Sequence, residues 1–193
     1  MKTIQTTIVI ILISIFTFSC SKGEASDPAV VAPLQDPLAG YLEATGFNQK
    51  TINYVNDNSN EFGFSFIPLV NGKITTLIVK IPATQLGLRV TIWDSVLKTV
   101  LRTETIDVAI AGTEVSKEIT ALNLIKDKEY VISMNSNDWY RRSKTSGASV
   151  TYPFTVGDIK ITAYSISNGS EQQYPNRPLS SNYSGDCSFK FQK

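Results

Sequence analysis

Short alternations of apolar and polar residues dominate the chain, and a period of two is typical of β-strands with one buried face. In residues 61–66 the side chains of Phe62, Phe64 and Phe66 fall on one side, and residues 88–93 likewise place Leu88, Val90 and Ile92 together. Further strands are predicted at residues 74–81, 98–105, 115–119, 129–135, 150–155, 159–164 and 187–191.

Two local signals predict how the chain turns. Asn71-Gly72 separates two predicted strands and is a strong short-range hairpin signal, so we expect residues 61–66 and 74–81 to pair. Asp36 followed by Pro37 predicts a short helix, because Asp is a preferred N-cap and Pro suits the first helical position.

The predicted strands recur roughly every 10 residues with turn residues between them, and no helical pattern of three turns interrupts them. This arrangement is typical of a sandwich of antiparallel sheets. We therefore predict an all-β fold, an antiparallel jelly-roll-like β-sandwich, as a single domain over residues 41–193.

The N-terminal segment predicts export and anchoring. Lys2 precedes an apolar run of about a dozen residues, which is a signal-peptide pattern and too short for a membrane span. Thr17-Phe18-Ser19-Cys20 resembles a bacterial lipobox, so residues 1–19 are interpreted as a lipoprotein signal peptide and Cys20 as the lipidated residue. A plain secretory signal is the alternative. Residues 20–40 have the composition of a flexible tether.

Charge and composition exclude several function classes. The chain has no His, which removes Ser-His-Asp and Cys-His catalysis and imidazole metal sites. Its 18 basic and 17 acidic residues give a net charge of +1, which does not indicate the excess of positive charge typical of nucleic-acid-binding proteins. Loss of Lys2 with the signal peptide leaves 17 of each, a formally neutral mature chain.

The two cysteines have separate predicted roles. A lipidated Cys20 leaves Cys187 without an intramolecular partner. Cys187 alternates with Phe189 and Phe191, so we expect it to be a small buried core residue.

Several strand motifs resemble a known family. Residues 61–66, 71–77 and 90–94, followed by residues 128–134 and 182–189, are similar in order and spacing to the bacterial domain-of-unknown-function family 4082. The resemblance covers residues 50–193. It implies a jelly-roll-like domain of secreted and surface proteins, often found beside carbohydrate-related modules, and it brings no established activity or binding residues.

The most suggestive candidate site is the polar segment 135–144, interpreted as a loop between strands. It combines Trp139 and Tyr140 with Arg141 and Arg142, and flat rings beside hydrogen-bond donors suit a sugar or an aromatic-rich partner. Trp93, opposite in parity to its core neighbours, and Tyr174, in the long loop 168–183, are further candidates. The alternative is that these aromatic side chains pack over the sandwich and have a structural role.

Two weaker possibilities concern acidic and amide groups. Residues 56–61 are rich in oxygen ligands and suggest a structural calcium ion, although Asn and Asp are also ordinary turn residues. Asp138 and Asp186 are candidates for the acid and base of a glycosidase. We otherwise expect no cofactor and no enzymatic activity.

These observations predict a lipid-anchored binding module of the cell envelope. We expect it at the outer membrane, and exposure on the cell surface is one interpretation. Its expected ligand is a glycan or a surface protein. The alternatives are a non-catalytic accessory subunit of an envelope assembly and a His-independent glycoside hydrolase.

Overall fold

The computed structural model describes residues 33–193, which form one helix and thirteen strands. The predicted signal peptide, Cys20 and most of the predicted tether lie outside the described residues. In chain order the elements are α1 (Pro37–Thr45), β1 (Lys50–Tyr54), β2 (Asn60–Pro68), β3 (Gly72–Lys80), β4 (Gln85–Asp94), β5 (Thr99–Val108), β6 (Val115–Leu124), β7 (Tyr130–Ser136), β8 (Trp139–Ser143), β9 (Phe154–Val156), β10 (Ile159–Asn168), β11 (Arg177–Leu179), β12 (Tyr183–Ser184) and β13 (Asp186–Gln192).

The strands form three antiparallel sheets. A seven-stranded sheet has the order β11-β10-β2-β7-β4-β5, with β9 also paired to β10. A three-stranded sheet, β13-β3-β6, packs against it, and a small sheet, β1-β8-β12, completes the fold. The predicted all-β sandwich is therefore confirmed.

The core lies between the two larger sheets. Phe62, Phe64 and Phe66 are all buried, as their alternation predicts, and Phe66 packs against Phe189 of β13 with ring centroids 4.7 Å apart. Cys187 is 1 % exposed, which confirms its predicted core role, and burial raises the pKa of its thiol. Each buried Phe side chain contributes about 1.5–3 kcal/mol to folding.

The predicted hairpin at Asn71-Gly72 is wrong. β2 pairs with β7 and β10, whereas β3 pairs with β6 and β13, so the turn carries the chain from one sheet to the other. The Asn71 side chain instead accepts a hydrogen bond from the backbone of Lys126 at 2.8 Å. A local turn signal does not specify which sheet the following strand joins.

The predicted helix is confirmed with its cap. Asp36 Oδ1 accepts from the Leu38 backbone at 3.1 Å, and Pro37 is the first helical residue. Gln35 forms two backbone hydrogen bonds with Phe191, of 2.9 and 2.8 Å. The folded domain therefore includes residues from Gln35 onward, earlier than the predicted boundary at residue 41.

A segment of the predicted long loop crosses the outer face of the seven-stranded sheet; we call residues 170–176 the strap. Gln172 Nε2 donates to Thr91 at 3.0 Å and to Thr103 at 2.6 Å. Arg89 Nη2 donates to the Ser170 carbonyl oxygen at 3.0 Å. The strap thus encloses a polar surface that lies opposite the hydrophobic core.

Gly185 is the point at which the chain leaves the small sheet for β13. Its φ of 75° lies in the left-handed region, and an added Cβ would lie 2.6 Å from Phe62 Cβ. Since Phe62 belongs to the core, the space at Gly185 is closed by packing from the seven-stranded sheet.

We expect Gly185→Ala to lower the free energy of unfolding by about 2–5 kcal/mol, the sum of left-handed strain and overpacking. The matched control is Gly87→Ala, where φ is 64° and a Cβ would meet nothing within 4 Å. Urea unfolding of both variants measures the difference. Equal losses would show that the contact with Phe62 has no energetic role.

Candidate functional site

The predicted loop 135–144 is largely strand. Residues Trp139–Ser143 form β8, which pairs with β1 on one side and β12 on the other. Because successive side chains of a strand point to opposite faces, the four predicted site residues are divided. Trp139 and Arg141 share one face, and Tyr140 and Arg142 share the other.

The register of β1 and β8 determines what the first face presents. Tyr54 lies opposite Trp139, Ile52 opposite Arg141, and Lys50 opposite Ser143. Directly opposite residues of an antiparallel pair point to the same side. We call this surface the β1–β8 face, and it carries an aromatic pair at one end and basic groups at the other.

Trp139 is held between two aromatic rings. It stacks on Tyr54 at a centroid distance of 5.2 Å and an angle of 11°, and it packs on Phe62 at 4.9 Å and 49°. It is only 7 % exposed, so neither face of the indole is free for a sugar. Half-buried Tyr54, which the sequence did not single out, is the outer ring of this stack.

The basic end of the β1–β8 face is concave. A cleft of about 250 Å³ is lined by Lys50, Arg141 and Lys144 together with hydroxyl groups, and no carboxylate lines it. None of the three cations forms an ion pair with any residue of 33–193. We call this the basic cleft; its hydroxyl groups belong to Ser143, Thr145 and Ser181.

A second cleft, of about 520 Å³, lies at the Trp139 end. Its polar groups come from the turn before β2 and from the end of β10. We call it the amide cleft, lined chiefly by Asp57, Asn58, Asn60, Trp139 and Asn168.

On the opposite face of β8, Arg142 is committed to a structural ion pair. Its Nε donates to both carboxylate oxygens of Asp186, at 2.7 and 3.0 Å, and its Nη2 also contacts this carboxylate. The pair borders a cavity of about 140 Å³ beside α1. Two cations contact the Tyr140 ring, with Lys80 Nζ 5.9 Å and Arg142 Cζ 5.5 Å from its centroid.

Trp93 and Tyr174 lie together, away from the β1–β8 face. The rings meet edge to face at 5.9 Å, and Trp93 is 4 % exposed beneath the strap. Trp93 Nε1 donates to Ser133 Oγ at 2.9 Å, and Ser133 donates to buried Glu61 at 2.7 Å. Trp93 is therefore structural cover rather than an accessible ligand platform.

The acidic candidates are separated in the fold. Asp138 Oδ1 accepts from the Asn56 backbone at 2.7 Å, whereas Asp186 binds Arg142, and Asp138 does not line the cavity beside Asp186. Glu61, the last residue of the oxygen-rich segment 56–61, accepts a hydrogen bond from Ser133 within the seven-stranded sheet. It does not line the amide cleft with Asp57. Among residues 33–193 no group of three acidic or Cys side chains is arranged to hold a metal ion.

No known family model matches the chain, and a search of curated proteins also finds no match. The resemblance to family 4082 therefore stays a prediction from the sequence. Within residues 33–193 no helix is long and apolar enough to cross a membrane. Cys20 lies outside the described residues, so its lipidation also stays a prediction.

We expect Arg142→Gln to cost about 3–5 kcal/mol at neutral pH, because it leaves a buried carboxylate unpaired. Burial already raises the pKa of Asp186 from its ordinary 3.8, and Arg142 opposes that shift. In the variant the pKa rises further. An acid with a raised folded pKa loses stability as the pH rises from its unfolded pKa to its folded pKa.

The deficit of Arg142→Gln should therefore be smaller at pH 5 than at pH 8 in urea unfolding. The double variant Arg142→Gln/Asp186→Asn is the control, and it should show little of this pH dependence. An equal deficit at both pH values would contradict the assignment of Asp186 as the responsible group.

Proposed function

We propose that the protein is a non-catalytic binding module of the cell envelope that recognises an anionic glycan through the basic cleft. The observation that carries the proposal is the convergence of Lys50, Arg141 and Lys144 in one concavity with no acidic residue. The mature chain is formally neutral in the predicted form, so this cleft is a local concentration of charge rather than a general property of the surface.

The chemistry of the cleft fits a carboxylate or sulfate group. A guanidinium such as that of Arg141 binds these groups through two parallel hydrogen bonds, and Lys50 and Lys144 add point charges. Neighbouring hydroxyls both donate and accept, as sugar hydroxyls require. A volume of about 250 Å³ is slightly below the range of drug-sized sites, which suits one acidic sugar residue.

A binding role is favoured over glycoside hydrolysis because no carboxylate lines the basic cleft. Its lining side chains are cations, hydroxyls and Ile52. Glycoside hydrolysis would need two carboxylates flanking the bond to be cleaved. The proposed module therefore retains a glycan without transforming it.

Location at the outer membrane is part of the proposal, and its support comes from the lipobox-like Cys20 and the preceding apolar run. Two or three acyl chains on Cys20 would give stable anchoring. The residues between Cys20 and Gln35 would then act as the spacer that holds the sandwich away from the membrane.

Cys20→Ala should release the protein from the membrane fraction, because the acyl chains have no other attachment point in the proposed scheme. Fractionation and intact mass spectrometry of the wild-type and variant proteins make the test. Membrane association that persists in the variant, or a wild-type mass without acyl groups, would contradict the anchor.

The ligand class is tested with an array of uronic-acid oligosaccharides and their carboxyl-reduced neutral counterparts, probed with residues 21–193. We expect binding of acidic members, loss of binding on reduction, and weakening with rising salt. The variant Lys50→Gln/Arg141→Gln/Lys144→Gln should bind at least about tenfold more weakly.

The matched control is Lys73→Gln/Lys126→Gln/Lys160→Gln, which changes the net charge equally at residues that do not line the basic cleft. It should bind like the wild type. Equal weakening by both triple variants would indicate non-specific attraction, and unchanged binding in the cleft variant would overturn the proposed function.

A further inference from the structure

Trp139 carries a hydrogen-bond donor that the protein does not use. Trp93 Nε1 donates to Ser133, whereas no acceptor for Trp139 Nε1 is found among residues 33–193. In that part of the chain only Arg89 Nε is both buried and unpaired, so the Trp139 N–H is reached by solvent. Since Tyr54 and Phe62 cover the ring faces, Trp139 contributes an edge to the amide cleft.

Trp139 as a whole is only 7 % exposed, although its N–H reaches solvent. The aromatic stack fixes the position of the indole, and Trp139 lines the amide cleft. A rigid donor at the wall of a cleft is a feature of a preorganised binding site.

The neighbouring side chains of the amide cleft have both a hydrogen-bond donor and hydrogen-bond acceptors that are not used within residues 33–193. Asn60 Nδ2 donates to the Asn58 carbonyl oxygen at 2.7 Å, and Asn168 Oδ1 accepts from Arg177 at 3.1 Å. These bonds orient the amides and leave Asn60 Oδ1 and Asn168 Nδ2 for another partner. Asp57 uses Oδ1 for the Asn58 backbone at 2.7 Å, which leaves Oδ2.

The two sides of the amide cleft are tied together by backbone hydrogen bonds. Gly169 N donates to the Ser59 carbonyl oxygen at 2.8 Å, and Asp57 N donates to that of Asn137 at 3.0 Å. The segment before β2 is therefore held to the residue after β10 and to the turn between β7 and β8. Rigid donors and acceptors in alternation match the hydroxyl groups of a sugar, each of which donates and accepts.

The amide cleft also has a defined relation to the basic cleft. Trp139 begins β8 and Ser143 ends it, and four residue steps of roughly 3.3 Å separate them by about 13 Å. On the β1–β8 face, Tyr54 lies opposite Trp139 at the amide-cleft end, and the opposed pair Ile52 and Arg141 lines the basic cleft. An oligosaccharide of a few residues spans this distance.

We infer that the amide cleft is a second subsite, which binds the hydroxyl groups of a neutral sugar residue in the same glycan whose acidic residue occupies the basic cleft. Trp139 Nε1 and Asn168 Nδ2 are the donors, and Asp57 Oδ2 and Asn60 Oδ1 are the acceptors. This inference rests on the proposed function, and it narrows the ligand to an oligosaccharide that contains both acidic and neutral residues.

Calorimetry on residues 21–193 tests the second subsite with three probes: glucuronic acid, xylotriose bearing one glucuronic acid, and a hyaluronan tetrasaccharide, which alternates acidic and neutral residues. At least one mixed oligosaccharide should bind more tightly than glucuronic acid. Trp139→Phe and Asn168→Ala should each weaken that oligosaccharide about 3- to 10-fold and leave glucuronic acid binding unchanged.

Asn53→Ala is the matched control, since Asn53 is an exposed amide on the other face of β1 and should have no effect. Asn168→Ala keeps the test decisive if Trp139→Phe fails to fold. Mixed oligosaccharides that bind no better than glucuronic acid, or that are insensitive to both variants, would overturn the second subsite. Failure of the proposed function gives a different result, namely unchanged glucuronic acid binding in the basic-cleft triple variant.

Discussion

The stack of Phe62, Trp139 and Tyr54 connects the candidate site to the rest of the fold. Phe62 belongs to the core of the seven-stranded sheet, Trp139 begins β8, and Tyr54 ends β1. The ring contacts of 4.9 and 5.2 Å therefore fix the small sheet against the sandwich. Trp139 lines the amide cleft, and strand alternation places Arg141 two residues further along the same face of β8, where it lines the basic cleft.

Strand alternation then gives adjacent residues different roles. Arg142 turns inward to the buried carboxylate of Asp186, where its charge is neutralised and its contribution is to stability. Arg141 turns outward and joins Lys50 and Lys144, which lack acidic partners within residues 33–193. Two adjacent arginines thus differ in role, since Arg142 belongs to a structural ion pair and Arg141 to a cluster of unpaired cations. In the proposed function, recognition depends on this local charge and on hydrogen bonding rather than on net charge.

Sequence patterns predicted the elements governed by local rules. The alternation of Phe62, Phe64 and Phe66 and the Asp36 cap depend on neighbouring residues only, and both predictions are confirmed. The predictions of a hairpin at residues 71–72 and of a loop at residues 135–144 are wrong, because long-range packing determines which strands pair. The basic cleft could not be predicted, since Lys50 and Arg141 meet only through the register of β1 and β8. Alternation of Lys50, Ile52 and Tyr54 was the available signal for β1.

The most direct test of the account is an amide NMR titration of residues 21–193 with xylotriose bearing one glucuronic acid and with the hyaluronan tetrasaccharide. The account predicts chemical-shift changes concentrated in residues 50–54, 57–60 and 139–145 for the oligosaccharide that binds, with little change in the strap at 170–176. Changes confined to the strap or to the cavity beside Asp186, with none in β1 and β8, would contradict it.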